Sequence, residues 1–189
     1  MSTTARLALG DYDRLIAEGY FESGPMLRER IELIRGELHV MSPIGPSHDE
    51  LVSTLDEWSH DQAPRDRFRI RVQGAINLPR QTSVPEPDIV WVSRRRYWKI
   101  RPGPPDILLL IEVSDTSLAY DRGEKAELYA EAGIADYWIV NVPGRTVEVL
   151  REPKDGQYTS RQVFGCGMEV RPLACPETVL NVAELFREE

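Results

Sequence analysis

Glu112 follows five consecutive large aliphatic residues, Ile107-Leu108-Leu109-Leu110-Ile111. A carboxylate at the end of such a run is partly desolvated, which is costly unless a cation or hydrogen bonds compensate. Asp88 opens a second apolar segment, Ile89-Val90-Trp91-Val92, directly after Pro87. Two acids at the ends of neighbouring central strands could converge on one point. Such a pair, completed by waters, suits Mg2+, or Mn2+ in its place, because a hard cation prefers oxygen and keeps part of its water shell. The same residues are equally served by Asp88 capping a turn and Glu112 pairing with an arginine.

Lys125 lies in the segment that follows, where helical spacing puts Asp121, Lys125 and Tyr129 on one face. A lysine beside a metal site stabilises developing negative charge or positions an attacking water. Spacing alone favours a plainer outcome, an Asp121–Lys125 surface ion pair worth roughly a few tenths of a kcal/mol. Arg94, Arg95, Arg96, Lys99 and Arg101 place five cations in eight positions, interleaved with Tyr97 and Trp98. Cations contact phosphates and aromatics stack on unpaired bases, so this segment is a candidate nucleic-acid contact. Arg65, Arg67, Arg69 and Arg71 form a second cluster, which on a strand would share one face. Both clusters are also what a solvated surface needs to balance 31 acidic residues.

The elements that must position these groups follow from the pattern. Residues 10–19 read as a helix with Asp11 as its cap, and 29–42 as a bent strand or hairpin turning at Gly36. Ser47 is a plausible N-cap for a helix over about 48–62, whose Leu51, Leu55 and Trp58 share a face. Residues 67–78 read as a strand broken near Gly74, 88–92 as a short buried strand, and 93–101 as a basic loop or short helix. The unalternating run 107–113 suits a central strand covered on both faces. A helix over 118–132 ends at Gly133, a buried strand spans Tyr137–Asn141, and 146–150 with 158–163 form a hairpin around Lys154-Asp155-Gly156. A small amphipathic helix closes the chain near 181–187. One mixed sheet with flanking helices accommodates this order.

The composition fits one domain over residues 1–189: hydrophobic residues are 41% and charged residues 29%, ordinary for a globular chain. A formal net charge of −8 argues against a protein that coats nucleic acid along its whole surface. It leaves room for an enzyme that keeps its cations on one face. Cys166 and Cys175 have no CxxC spacing and no neighbouring histidine, so reduced thiols are expected. The longest apolar run is far below the about 20 residues of a membrane span, and Met1 to Gly10 lack a signal-peptide design. A cytoplasmic location without membrane attachment is expected.

Pro87-Asp88 followed by Glu112-Val113-Ser114 resembles the PD-(D/E)XK superfamily, the fold of many restriction endonucleases. The run from Asp106-Ile107 through EVSDTSLAYDRGEKAELYAEAGIADYWIV closely resembles the Uma-type family of endonucleases, once classed as a domain of unknown function. Glu32-Leu33-Ile34-Arg35-Gly36-Glu37, and Ser42-Pro43 followed by His48, fit the same family. The resemblance extends over about residues 10–186. It implies a restriction-endonuclease-like α/β (α+β) fold, a mixed central sheet flanked by helices with added N-terminal and C-terminal hairpin strands, and a core over about residues 28–165. It further implies that Asp88 and Glu112 are metal ligands and that Glu32 is an additional acid. The superfamily usually carries its lysine two residues after the second acid; Ser114 stands there, and the resemblance hands that role to Lys125 on the next helix. His48 matches a family position at a helix start, as a proton carrier or phosphate contact, or equally as a residue making a local hydrogen bond.

The activity implied is Mg2+- or Mn2+-dependent hydrolysis of DNA phosphodiester bonds, with a possible homodimer presenting two sites to two strands. Two other outcomes share the fold: a catalytically inactive nucleic-acid-binding or assembly protein, which Ser114 and the acidic balance favour, and a metal-dependent hydrolase of another phosphoester.

Overall fold

The structure is a computed structural model that describes residues 6–23, 30–41 and 43–188. Residues 29 and 42, within the expected N-terminal hairpin segment, lie outside the described residues, as does the first half of the Ser42-Pro43 pair. Two short helices, α1 (Leu9–Ala17) and α2 (Tyr20–Ser23), precede the antiparallel hairpin β1 (Ile31–Ile34) and β2 (Glu37–Val40). Helix α3 (Pro46–Gln62) leads into β3 (Phe68–Val72), β4 (Ile89–Ser93) and β5 (Ile107–Ser114). A helical stretch follows as α4 (Leu118–Tyr120), a π-helical turn at Asp121–Lys125, and α5 (Ala126–Glu131). Strands β6 (Asp136–Asn141), β7 (Thr146–Lys154) and β8 (Gln157–Phe164) complete the main sheet. The chain closes with the small pair β9 (Glu169–Val170) and β10 (Leu180–Asn181), then α6 (Val182–Leu185).

The central sheet has the order β3-β4-β5-β6-β7-β8. All neighbours are antiparallel except β5 and β6, which run parallel. A parallel pair needs a crossover, and α4 to α5 supply it. The alternation of side chains then sorts the core into two layers. On one face α3 packs Leu51, Val52 and Leu55 against Trp91, Leu109, Ile111 and Trp138. On the other, Leu128 and Tyr129 of α5 pack against Val90, Leu110 and Tyr137. Covering both faces is why β5 reads as an unbroken apolar run.

Several local expectations change. Helix α3 starts at Pro46 with Gly45 as its N-cap, so Ser47 lies inside the first turn and caps nothing; proline at the first helical position loses no hydrogen bond. Likewise α1 begins before Asp11, which sits in the first turn, where its charge suits the helix dipole. Strand β3 stops at Val72, because Gln73 takes a left-handed conformation and donates its N–H to the Asp88 carbonyl at 2.8 Å. Arg65 and Arg67 therefore lie in the turn before β3, and only Arg69 and Arg71 alternate on the strand. Of the two forms expected for the basic segment, residues 94–101 take the loop. The expected hairpin of β7 and β8 does form, turning at Asp155 and Gly156, both at positive φ, and its strands join the main sheet.

Candidate active site

The register of β4 on β5 sets the site. Ile89 pairs with Ile111, so one further step along the antiparallel ladder puts Asp88 beside Glu112. Parity decides their direction: Val90 and Leu110 face the α5 layer, and so do Asp88 and Glu112, each two positions away. Both acids are buried, at 5% and 4% exposure. The Val113 N–H donates to Asp88 Oδ2 at 2.9 Å, and Gln73 Nε2 lies 3.4 Å from Oδ1. Asp88 therefore caps no turn; it spans the mouth of the strand pair.

Lys125, 3% exposed, reaches the same point from the far side of the crossover. Its ammonium donates to Glu112 Oε1 at 3.0 Å and to Glu32 Oε1 at 3.1 Å. The expected surface pair with Asp121 does not form, and Glu112 takes a lysine rather than an arginine. Glu32 is carried in by β1, and its Oε1 also accepts the Glu86 N–H at 2.7 Å. His48 enters from the first turn of α3, its Nε2 lying 3.2 Å from Asp88 Oδ2. The five residues singled out from the sequence thus line one cavity of about 480 Å3.

Electrostatics follow from burial. Desolvation pushes the Glu112 carboxyl up to about 8, with Asp88, Asp121 and Glu32 adding to the rise and Lys125 opposing it. Burial pulls Lys125 down, but Glu112, Glu32 and Asp121 outweigh it and hold the ammonium well above the usual lysine range. For Asp88, burial is overcome by the His48 hydrogen bond and charge and by the Val113 N–H, so its pKa is lowered. Burial works against the His48 imidazolium too, yet Asp88 raises its pKa overall.

The basic segment 94–101 is not brought into this cavity. Arg94, Arg95 and Arg96 lie past the other end of β4; Arg95 pairs with Asp106 at 2.6 Å and Arg101 with Asp13 at 2.6 Å. Lys99 is exposed and lines neither the cavity nor the groove beside Arg94 to Arg96.

Comparison with known proteins bears on what this geometry is for. The family model described as "Uma2: Putative restriction endonuclease" matches residues 19–183. The chain belongs to the Uma2 family. No curated protein matches it. A solved structure described as "a putative nuclease belonging to DUF820 from Anabaena variabilis ATCC 29413" superimposes with a TM-score of 0.73, over 95% of this chain and 97% of the other, at 16% identity. At that identity the likeness concerns the fold, a mixed sheet flanked by helices with added hairpins.

In this Uma2 chain the residues that line the cavity meet partners that sequence reasoning did not assign. Tyr129 donates its hydroxyl to Glu112 Oε1 at 2.7 Å; its i,i+4 spacing from Lys125 was the available signal. Ser114, at the position where the wider superfamily carries lysine, donates to Asp121 Oδ2 at 2.6 Å, and Ser117 donates to the same oxygen at 2.5 Å. Burial raises the Asp121 pKa. Tyr120 sets its ring 5.9 Å from the Lys125 ammonium, and its hydroxyl lies 3.3 Å from His39 Nδ1. No spacing rule connects residues 39 and 120, so that contact had no signal in the sequence.

Proposed function

We propose that this Uma2 chain is a metal-dependent endonuclease that hydrolyses DNA phosphodiester bonds in the Asp88–Glu112 cavity. The observation that carries the reading is the convergence of two buried strand-end acids, Glu32 and a lysine bonded to both glutamates, in a chain of an endonuclease family. Asp88 and Glu112 put two carboxyl groups on one cavity wall, which would hold Mg2+ or Mn2+ with waters completing the shell, since no group of three metal-ligating side chains stands together among the described residues. A divalent cation held there would polarise a phosphodiester oxygen and lower the pKa of a coordinated water.

The residues of the chain do the rest. Lys125, kept charged by the acids around it, neutralises negative charge gathering on the phosphoryl oxygens or orients the attacking water. Tyr129 and Glu32 fix the rotamers of Glu112 and Lys125 by hydrogen bonds. His48 carries a proton at the cavity wall and holds it more firmly for facing Asp88. A second reading, a binding or assembly protein without turnover, is favoured by Lys125 itself, which already compensates Glu32 and Glu112.

Calorimetric titration of Mg2+ and Mn2+ into the wild type and Glu112→Ala separates the two, run beside cleavage of plasmid DNA and of a small phosphodiester. The nuclease reading expects metal binding that Glu112→Ala abolishes, plasmid cleavage, and loss of that cleavage in Lys125→Ala. A folded wild type that neither binds metal alone nor cuts plasmid with metal present supports the inactive reading. Cleavage of the small diester alone points to another phosphoester.

A further inference from the structure

A groove of about 600 Å3 lies between the last turn of α3, the start of β3 and the loop after β4. Its lining includes Arg65, Arg69, Arg94, Arg95 and Arg96, with His60 beside them, and no carboxylate. That is unexpected in a chain with net charge −8. Most arginines elsewhere are committed, among them Arg30 to Glu86, Arg122 and Arg161 to Glu148, and Arg151 to Asp136, while Arg71 and Arg80 have no acid within 4.0 Å among the described residues. Arg65, Arg69, Arg94 and Arg96 have no acid within 4.0 Å among the described residues. The Arg95 carbonyl accepts from Arg69 Nη1 at 3.4 Å, which ties the β4 loop to β3. Like charges gathered in a concave wall repel one another and focus a field that draws in anions.

The groove is distant from the cavity. From Asp88 to Arg94 along β4 is about 20 Å at the rise of a strand. From His48 to His60 along α3 is about 18 Å at the rise of a helix. Both elements run from cavity to groove, and the two lengths agree. On duplex DNA that interval corresponds to about six base pairs.

We propose that this groove is a second phosphate-binding site, which grips the sugar–phosphate backbone of a nucleic acid about six base pairs from the bond held in the cavity. The span between the two sites rests on the nuclease reading above. Guanidinium groups match phosphate oxygens in a bidentate fork, and several of them in one groove exceed what a single phosphate group can satisfy. A polymer with a phosphate at each step meets that geometry. Contacts of this kind position a strand without reading its sequence.

The test separates binding from cutting. A fluorescein-labelled 20-base-pair duplex is titrated by anisotropy with Glu112→Gln protein at 50 to 200 mM KCl. The same titration follows for Glu112→Gln carrying Arg65→Ala, Arg94→Ala and Arg96→Ala. A third protein carries Glu112→Gln with Arg80→Ala, Lys154→Ala and Arg187→Ala, an equal loss of charge outside the groove. Each phosphate contact contributes about 0.9 to the slope of log affinity against log salt. Loss of three contacts therefore shrinks the change in affinity over this salt range by about 40-fold. The groove variant is expected to show that loss and the third protein is not. Equal slopes in all three proteins overturn the proposal, and so does the absence of duplex binding in the Glu112→Gln parent. Wild-type cleavage with equal slopes removes the groove and leaves the nuclease. A groove-dependent slope with no wild-type cleavage removes the nuclease and leaves a phosphate-binding groove.

Discussion

Glu112 concentrates the physics of the cavity at one residue. It is a carboxyl inside a sheet, bonded by an ammonium and a phenol, and burial moves its pKa up to about 8. Because that value lies above the ordinary carboxyl range, the folded chain holds a proton that the unfolded chain releases. Its contribution to stability is fully present below about pH 4.5 and is lost as pH rises through about 8. One proton difference gives a slope of at most about 1.4 kcal/mol per pH unit. Glu112→Gln keeps the shape and cannot ionise, so its unfolding free energy, measured in urea at pH 5 and pH 8 without divalent cations, is expected to fall less than that of the wild type. Comparing the two proteins cancels the titrating groups that do not interact with Glu112 and reports Glu112 together with the acids coupled to it. Equal pH dependence in both would contradict a proton on Glu112.

At the scale of elements, the crossover between β5 and β6 decides whether Lys125 reaches its acids. Five residues from Asp121 to Lys125 wind as a π-helical turn between α4 and α5. A π turn inserts one residue into the helical register, and such bulges are frequent at functional sites. Hydrophobic periodicity predicts a plain helix over 118–132, because that period and Gly133 set its face and its end while one extra residue leaves no trace in either. The strand segments, the two hairpins and the burial of 107–113 were legible for the opposite reason: alternation, unbroken apolar runs and turn residues are local signals, whereas the order of strands in the sheet is not. Asp88 and Glu112 were singled out by their place at the ends of apolar runs and Lys125 by its helix face, and resemblance suggested their roles; their convergence depends on the β4–β5 register, which no single segment carries. Arg65 and Arg69 were visible as a charge cluster, but their meeting with Arg94 and Arg96 depends on β3 pairing with β4. Within the π turn, Gly123 takes no left-handed conformation, and a Cβ added there meets nothing within 4 Å. Gly123→Ala is expected to stabilise the chain by about 0.4–1 kcal/mol through the unfolded state and to leave plasmid cleavage unchanged. A destabilised or inactive variant would mean that the turn has to flex. Gly144→Ala makes the contrast, because its Cβ would lie 2.5 Å from Asn141 Nδ2.

For the whole molecule, the two core layers lie on opposite faces of one sheet; the strand acids of the candidate site face one of them, and His48 enters from α3 on the other. Trp58, Trp91 and Trp138 pack together on the α3 face, with ring centroids 5.3 and 6.0 Å from Trp58. Asp88 and Glu112 face α5. We propose that both layers unfold as one cooperative unit, since β4, β5 and β6 contribute side chains to each. A ligand that binds only the folded state at one hundred times its Kd stabilises by about 2.7 kcal/mol. For a chain of this size that raises Tm by about 5–11 °C. Mg2+ at saturating concentration is therefore expected to shift the melt seen by tryptophan fluorescence by the same amount as the melt seen by far-UV circular dichroism, although no tryptophan lines the cavity. Trp98, 85% exposed, adds only a constant background. Glu112→Ala should lose the Mg2+ shift in both signals. A shift confined to circular dichroism would mean that the α5 layer melts apart from the tryptophan layer, and the unit would then be the face rather than the sheet.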